Sequence, residues 1–103
     1  MVHELIEDKL PEITDLCRRL GVRRLDLFGS AVGKTFDVVS SDVDVLVEFD
    51  ARPGFDYFNN YFALKEGLEL VFGRPVDLVS VSSIRNPYFR QRVMDTRETL
   101  YAA

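Results

Sequence analysis

Ser41-Asp42-Val43-Asp44-Val45-Leu46-Val47-Glu48-Phe49 is the stretch whose reading decides the fold. Val43, Val45, Val47 and Phe49 take every second position, the period of an extended strand that turns one face to a core. By the same parity Asp42 and Asp44 project side by side from the opposite face, with Cα atoms roughly 6.5–7 Å apart. Two carboxylates that close raise the pKa of at least one of them unless a cation sits nearby. Alone, an Asp-x-Asp pair is most simply two solvated surface acids, so its meaning depends on its surroundings.

Upstream, Val22 to Phe28 reads as another strand; it alternates poorly, but Leu25 and Leu27 can share a buried face. Gly29 and Ser30 break that strand and can open a short helix. Glycine lets backbone approach a phosphate closely, serine adds a hydroxyl, and helix-start amides attract an anion. An ordinary strand-to-helix turn is the plainer alternative. A polar connection through Lys34, Asp37, Ser40 and Ser41 leads back to the acidic strand.

Downstream, Arg52-Pro53-Gly54 marks a turn, and Phe55 to Phe72 follows a helical period that Gly73 stops. Pro75 to Ser80 reads as a short strand. Within it Asp77 stands among Val76, Leu78 and Val79, where a lone acid is costly unless exposed, paired or metal-bound. If this strand pairs beside Asp44, the carboxylates of Asp42, Asp44 and Asp77 converge. Such hard oxygen ligands suit Mg²⁺, which takes one or two carboxylates plus substrate phosphates, and two such ions suit phosphoryl chemistry.

Asn86 as cap and Pro87 in the first turn open a last helix through about Met94, and Leu100 and Tyr101 add a short edge strand or simply dock. Near the N-terminus, Ile6, Leu10, Ile13, Cys17 and Leu20 recur at helical spacing up to Gly21. Pro11 inside that pattern predicts a kink or a helix that restarts. Strands alternating with helices give an α/β (α+β) fold, a small mixed sheet flanked by helices.

At 103 residues with 47% hydrophobic content, the chain is expected to form one domain over residues 1–103. The net charge of -4 argues against broad, direct nucleic-acid binding, though not against a single nucleotide whose charge metal ions can meet. Cys17 is the only cysteine, which excludes an internal disulfide and a cysteine zinc cluster, and a buried thiol is its plain reading. Without a long apolar run or a leader-like N-terminus, no membrane association is expected, and a reducing cytoplasm is the simplest location.

Tyr57, Tyr61, Leu64, Leu68 and Val71 make one stripe of the long helix, while Phe55, Phe58 and Phe62 make another. The second is expected to lie under the N-terminal helix or the Pro53 loop; the alternative is an interface with a partner or another copy. Arg85, Arg90, Arg92 and Arg97 are read as solvated surface residues, with contact to an acidic partner as the alternative.

Leu27-Phe28-Gly29-Ser30, the Ser41–Phe49 stretch, Gly73-Arg74-Pro75-Val76-Asp77-Leu78-Val79 and the ending from Asn86-Pro87-Tyr88-Phe89 to Leu100-Tyr101-Ala102-Ala103 together resemble the minimal nucleotidyltransferase (MNT) domain. That family belongs to the polymerase beta-like nucleotidyltransferase superfamily. The resemblance implies that Asp42, Asp44 and Asp77 are catalytic and bind two Mg²⁺ ions. It further implies that Gly29 and Ser30 contact the triphosphate of ATP. Where relatives usually carry an arginine after the Gly-Ser, this chain has Ala31-Val32-Gly33-Lys34, and Lys34 is the cation available there. The resemblance also implies an antitoxin that transfers AMP to a tyrosine of a HEPN toxin. Its alternatives are an antitoxin acting by contact alone, or transfer to a small molecule or nucleic-acid end.

Overall fold

The computed structural model describes residues 4–28, 43–50 and 52–103. The described elements are α1 (Glu4–Glu7), α2 (Leu10–Arg19), β1 (Val22–Phe28), β2 (Val43–Phe49), α3 (Tyr57–Phe72), β3 (Val76–Ser80), α4 (Pro87–Thr96) and β4 (Glu98–Ala102), with a 3₁₀ turn at Val81–Ser83. The four strands form one mixed sheet in the order β3-β2-β1-β4. β1 runs antiparallel to β2 and β4, while β2 and β3 are parallel and joined through α3, the crossover that a parallel pair requires.

Local signals in the sequence account for the element ends. Pro11 sits in the first turn of α2, where its missing N–H costs nothing, so the N-terminal helical pattern splits into α1 and α2 rather than bending. Gly21 at φ 70° and Gly73 at φ 68° take the left-handed conformation after α2 and α3. The Asp56 side chain accepts from Asn59 N–H at 3.1 Å and starts α3 two residues later than Phe55. The Asn86 side-chain Oδ1 accepts from the N–H groups of Tyr88 and Phe89, fixing where α4 begins.

Parity along β2 sets the two faces of the sheet. Val43, Val45 and Val47 are fully buried against α2 and α3, in one cluster with Ile13, Cys17, Leu25, Leu27, Leu64, Leu68 and Leu78. Burial pushes the Cys17 thiol up to about 12, so it is an inert packing group. Leu46, of opposite parity, is equally buried under α4, where it clusters with Phe28, Ile84 and Val93. The apolar run of β2 is thus covered from both sides.

The poor alternation of β1 has a cause in its pairing. Val22 pairs with Phe49 and Arg24 with Glu48, so the register shifts at Arg23. The irregularity resets the parity, after which Leu25 and Leu27 point to the α2–α3 core.

α3 also shields the outer edge of β3. Val43 N–H donates to the Pro75 carbonyl, so the backbone groups of Val76 and Leu78 point away from β2. Glu69 accepts from Val76 N–H at 3.0 Å, and the Tyr61 hydroxyl donates to the Leu78 carbonyl. An exposed strand edge is thereby occupied, and β3 is held from both sides of Asp77. The Val76 N–H and the Lys65 ammonium hold the Glu69 carboxyl below its ordinary value. Burial, and then the Asp77 charge, push the Tyr61 phenol up, so it remains a proton donor.

The second aromatic stripe of α3 departs from expectation. Phe55 does pack, against Phe49 and Tyr57, but Phe58 and Phe62 stay 69% and 44% exposed, their rings 4.8 Å apart. The N-terminal helices cover the Leu64–Leu68 side instead, where Gly67 admits Leu16; a Cβ there would stand 2.7 Å from a Leu16 methyl. Among the described residues, no helix is long and apolar enough to cross a membrane.

Candidate active site

At one end of the sheet the parallel register sets Asp44 directly beside Asp77, with Phe28 paired to Asp44 on the other side. Neighbouring strands lie roughly 4.8 Å apart and in-register side chains share a face, so the two carboxylates stand next to each other. Both are on the α4 side, away from the α2–α3 core. Asp44 is half-buried and Asp77 exposed. The pairing of Asp77 beside Asp44 is therefore present, while the convergence of all three carboxylates involves a residue outside the described ones. Asp42, Gly29, Ser30 and Lys34 lie outside the described residues.

A cavity of about 370 Å³ opens on this pair, lined by Phe28, Asp44, Asp77, Phe89, Arg92, Val93 and Thr96. Two strands supply the acids, and one helix face supplies most of the rest. Phe89, Val93 and Thr96 recur at the spacing of one α-helical face, with Arg92 beside Val93. Val93 is 3% exposed and anchors the helix on Phe28 and Leu46. Phe28 and Phe89 meet edge to face at 6.3 Å. The cavity lining thus combines apolar side chains, two acids and one arginine.

The donor chemistry of the acid pair fits magnesium, since two adjacent carboxylates can share a hard cation whose remaining positions go to water or phosphate. Among the described residues, no group of three or more His, Cys, Asp or Glu side chains is assembled for a metal. A further protein ligand would come from Asp42.

A third acid on the α4 side was not singled out by sequence reasoning. Asp26 is 1% exposed in Leu25-Asp26-Leu27, a setting like that of Asp77. Arg24 Nε donates to both of its oxygens at 3.1 Å and Arg97 Nη1 reaches one at 3.4 Å. Fixed between two guanidiniums, this carboxylate ties β1 to the end of α4 and does not open on the cavity. Arg97 is consequently no free surface cation, contrary to the expectation for the C-terminal arginines. Arg92 and the aromatic wall were equally missed as site residues, and the only signal for them is the helical spacing from Phe89 to Thr96.

A larger cavity, about 520 Å³, opens at the opposite end of the sheet beside Arg18, Arg23, Asp50 and Arg52. Its lining carboxylate, Asp50, is joined to Arg52 at 3.0 Å, so it offers no acid pair, and the chemistry favours the smaller cavity.

Known proteins share this arrangement of elements. The family model for the nucleotidyltransferase domain matches residues 12–100. The protein adenylyltransferase MntA of Thermococcus cleftensis is 41% identical over 73 residues, which cover 70% of this chain and 69% of that protein. A solved minimal nucleotidyltransferase structure superposes with a TM-score of 0.72 at 29% identity, covering 95% of both chains. The complex of a tri-AMPylated Shewanella oneidensis HEPN toxin with MNT antitoxin contains a chain that matches with a TM-score of 0.62 at 21% identity. That match covers 94% of this chain and 72% of the other, and at that identity it speaks for the fold alone. With the family model spanning both strands that carry the paired acids, the chain belongs to the nucleotidyltransferase domain family and has the polymerase beta-like fold of its minimal members.

Proposed function

We propose that this chain transfers AMP from ATP to a hydroxyl of a protein acceptor, a tyrosine of a HEPN toxin, and acts as that toxin's antitoxin. The observation that carries the reading is the in-register pair Asp44 and Asp77 in the lining of one cavity. The relative from Thermococcus cleftensis is named a protein adenylyltransferase, and one structural neighbour is an MNT antitoxin bound to an AMPylated HEPN toxin. Both support the choice of nucleotide and acceptor.

In this reading Asp42, Asp44 and Asp77 hold magnesium, and Gly29, Ser30 and Lys34 contact the triphosphate. Bound magnesium supplies charge neutralisation and polarises the phosphate oxygens. The acceptor oxygen attacks the α-phosphorus, the bond from that phosphorus to the bridging oxygen of the β-phosphate breaks, and pyrophosphate leaves. The Asp77 carboxylate accepts the hydroxyl proton, directly or through water. Phe28, Phe89 and Val93 exclude water from one side and give a ring a flat apolar surface. The protein's contribution is mainly positioning and preorganised charge.

The test uses ATP labelled at the α-phosphate and a co-expressed HEPN partner. The native chain is expected to label the partner, and Asp77→Asn to reduce the rate by about a thousandfold, the scale for losing a principal electrostatic group. Undiminished labelling by Asp77→Asn would refute the assignment. Neutralisation of the toxin without labelling or ATP binding would leave contact alone as the mode of action.

A further inference from the structure

We propose that Arg92 is a substrate-contacting residue that binds the β- and γ-phosphates of the triphosphate and, after transfer, the departing pyrophosphate. The inference rests on the reading of the cavity as the transfer site. It assigns to α4 a role beyond covering the sheet.

The arginines around α4 occupy distinct places. Arg97 is engaged with Asp26, and Arg90 lines a separate depression with Glu48, Ser80 and Ser82. Arg92 lines the cavity that holds Asp44 and Asp77. Its backbone position is well fixed. Val93 beside it is buried on Phe28 and Leu46, and the Thr96 hydroxyl donates to the Arg92 carbonyl at 2.7 Å. Arg92 is thus presented to the cavity by a helix whose rotation is set by packing.

Charge decides what this cation is for. Arg92 is exposed, and among the described residues it forms no ion pair, although an acid pair lies in the same cavity. A guanidinium lining the same cavity as two acids gives that cavity a group of the charge a phosphate needs. Metal ions shared with several aspartates cannot by themselves offset all of a triphosphate's charge. A planar guanidinium matches two phosphate oxygens at once, which an ammonium does not. In the proposed contact it meets the part of the nucleotide that must leave, where negative charge grows during bond breaking.

The experiment compares the native chain with Arg92→Gln, Arg92→Lys and the control Arg90→Gln. It measures calorimetric binding of ATP with magnesium, inhibition by inorganic pyrophosphate, KM and kcat for transfer, and the melting temperature. Arg92→Gln is expected to weaken both ATP binding and pyrophosphate inhibition by about ten- to a hundredfold, the scale of a hydrogen bond to a charged group. Its melting temperature should be unchanged. Arg92→Lys should recover part of the loss, and Arg90→Gln should match the native chain. Normal ATP binding and pyrophosphate inhibition in Arg92→Gln would overturn the proposal, and so would a fall in kcat with both bindings intact. A native chain that binds ATP and labels its partner while Arg92→Gln is indistinguishable from it overturns this proposal alone. A native chain that does neither overturns the transferase reading along with it.

Discussion

On the sheet face covered by α2 and α3, the buried cluster is wholly apolar, and Val43, Val45, Val47, Leu64 and Leu68 are completely enclosed. The face under α4 holds a much smaller apolar cluster around Leu46 and Val93, and around it stand Asp26, Asp44 and Asp77. The same strands build both faces, so one-residue alternation separates a region that fixes backbone positions from one that carries charge. Two helices close the first face completely. Among the described residues, one ten-residue helix covers the second, and the cavity beside it is lined by the acid pair. A site that binds a charged substrate needs this division: rigid backbone from the dry side, carboxylates within reach of a ligand on the open side.

Substitutions in β2 give the sharpest way to break the contrast. Asp44→Asn should lower transfer by about a thousandfold while the melting temperature holds or rises, because it removes repulsion with Asp77. Labelled-ATP transfer and thermal melting on the same preparation check this. Two residues along the same face, Leu46→Ala should destabilise the fold by about 3 kcal/mol through loss of apolar burial and a cavity, read from denaturant unfolding. If Asp44→Asn unfolded the chain instead, the division into holding and reacting residues would fail.

Smaller effects test the charged groups. Arg24→Ala strips Asp26 of its two-point partner and should cost about 2 kcal/mol, part of the penalty for stranding a buried charge, with Arg97 and solvent limiting it. Unchanged stability would mean Asp26 is not dependent on that clamp. The smallest effect belongs to Glu69. Its folded pKa lies below the ordinary 4.5, so its stabilising contribution is full above that value and fades as pH falls through the lower folded value. Glu69→Gln should therefore be slightly less stable at neutral pH and converge with the native chain in acid. A difference that persists in acid would assign the loss to geometry instead of charge.

Asp26 and Asp77 show where sequence stops being informative. Each is a single acid between apolar residues of a strand, and the local pattern is nearly the same. Asp77 lies on an exposed position of the outer strand β3, beside Asp44; Asp26 lies on β1, between β2 and β4, under Arg24 and Arg97. Strand order decides between a carboxylate free to bind and one locked in place, and strand order depends on contacts remote in sequence. The same holds for Phe58 and Phe62, whose exposure follows from which side of α3 the N-terminal helices choose.

From the sequence alone came the elements and the acids: period-two and helical spacing, Pro11, Gly21, Gly73 and Asn86 mark where strands and helices run, because these signals act within a few residues. Tertiary structure alone decided that β3 pairs parallel to β2 with Asp77 in register with Asp44, that α4 lies across that end with Arg92 in the cavity lining, and that Asp26 is clamped. Register, helix placement and burial are set by packing among distant segments, whose energies no local pattern contains.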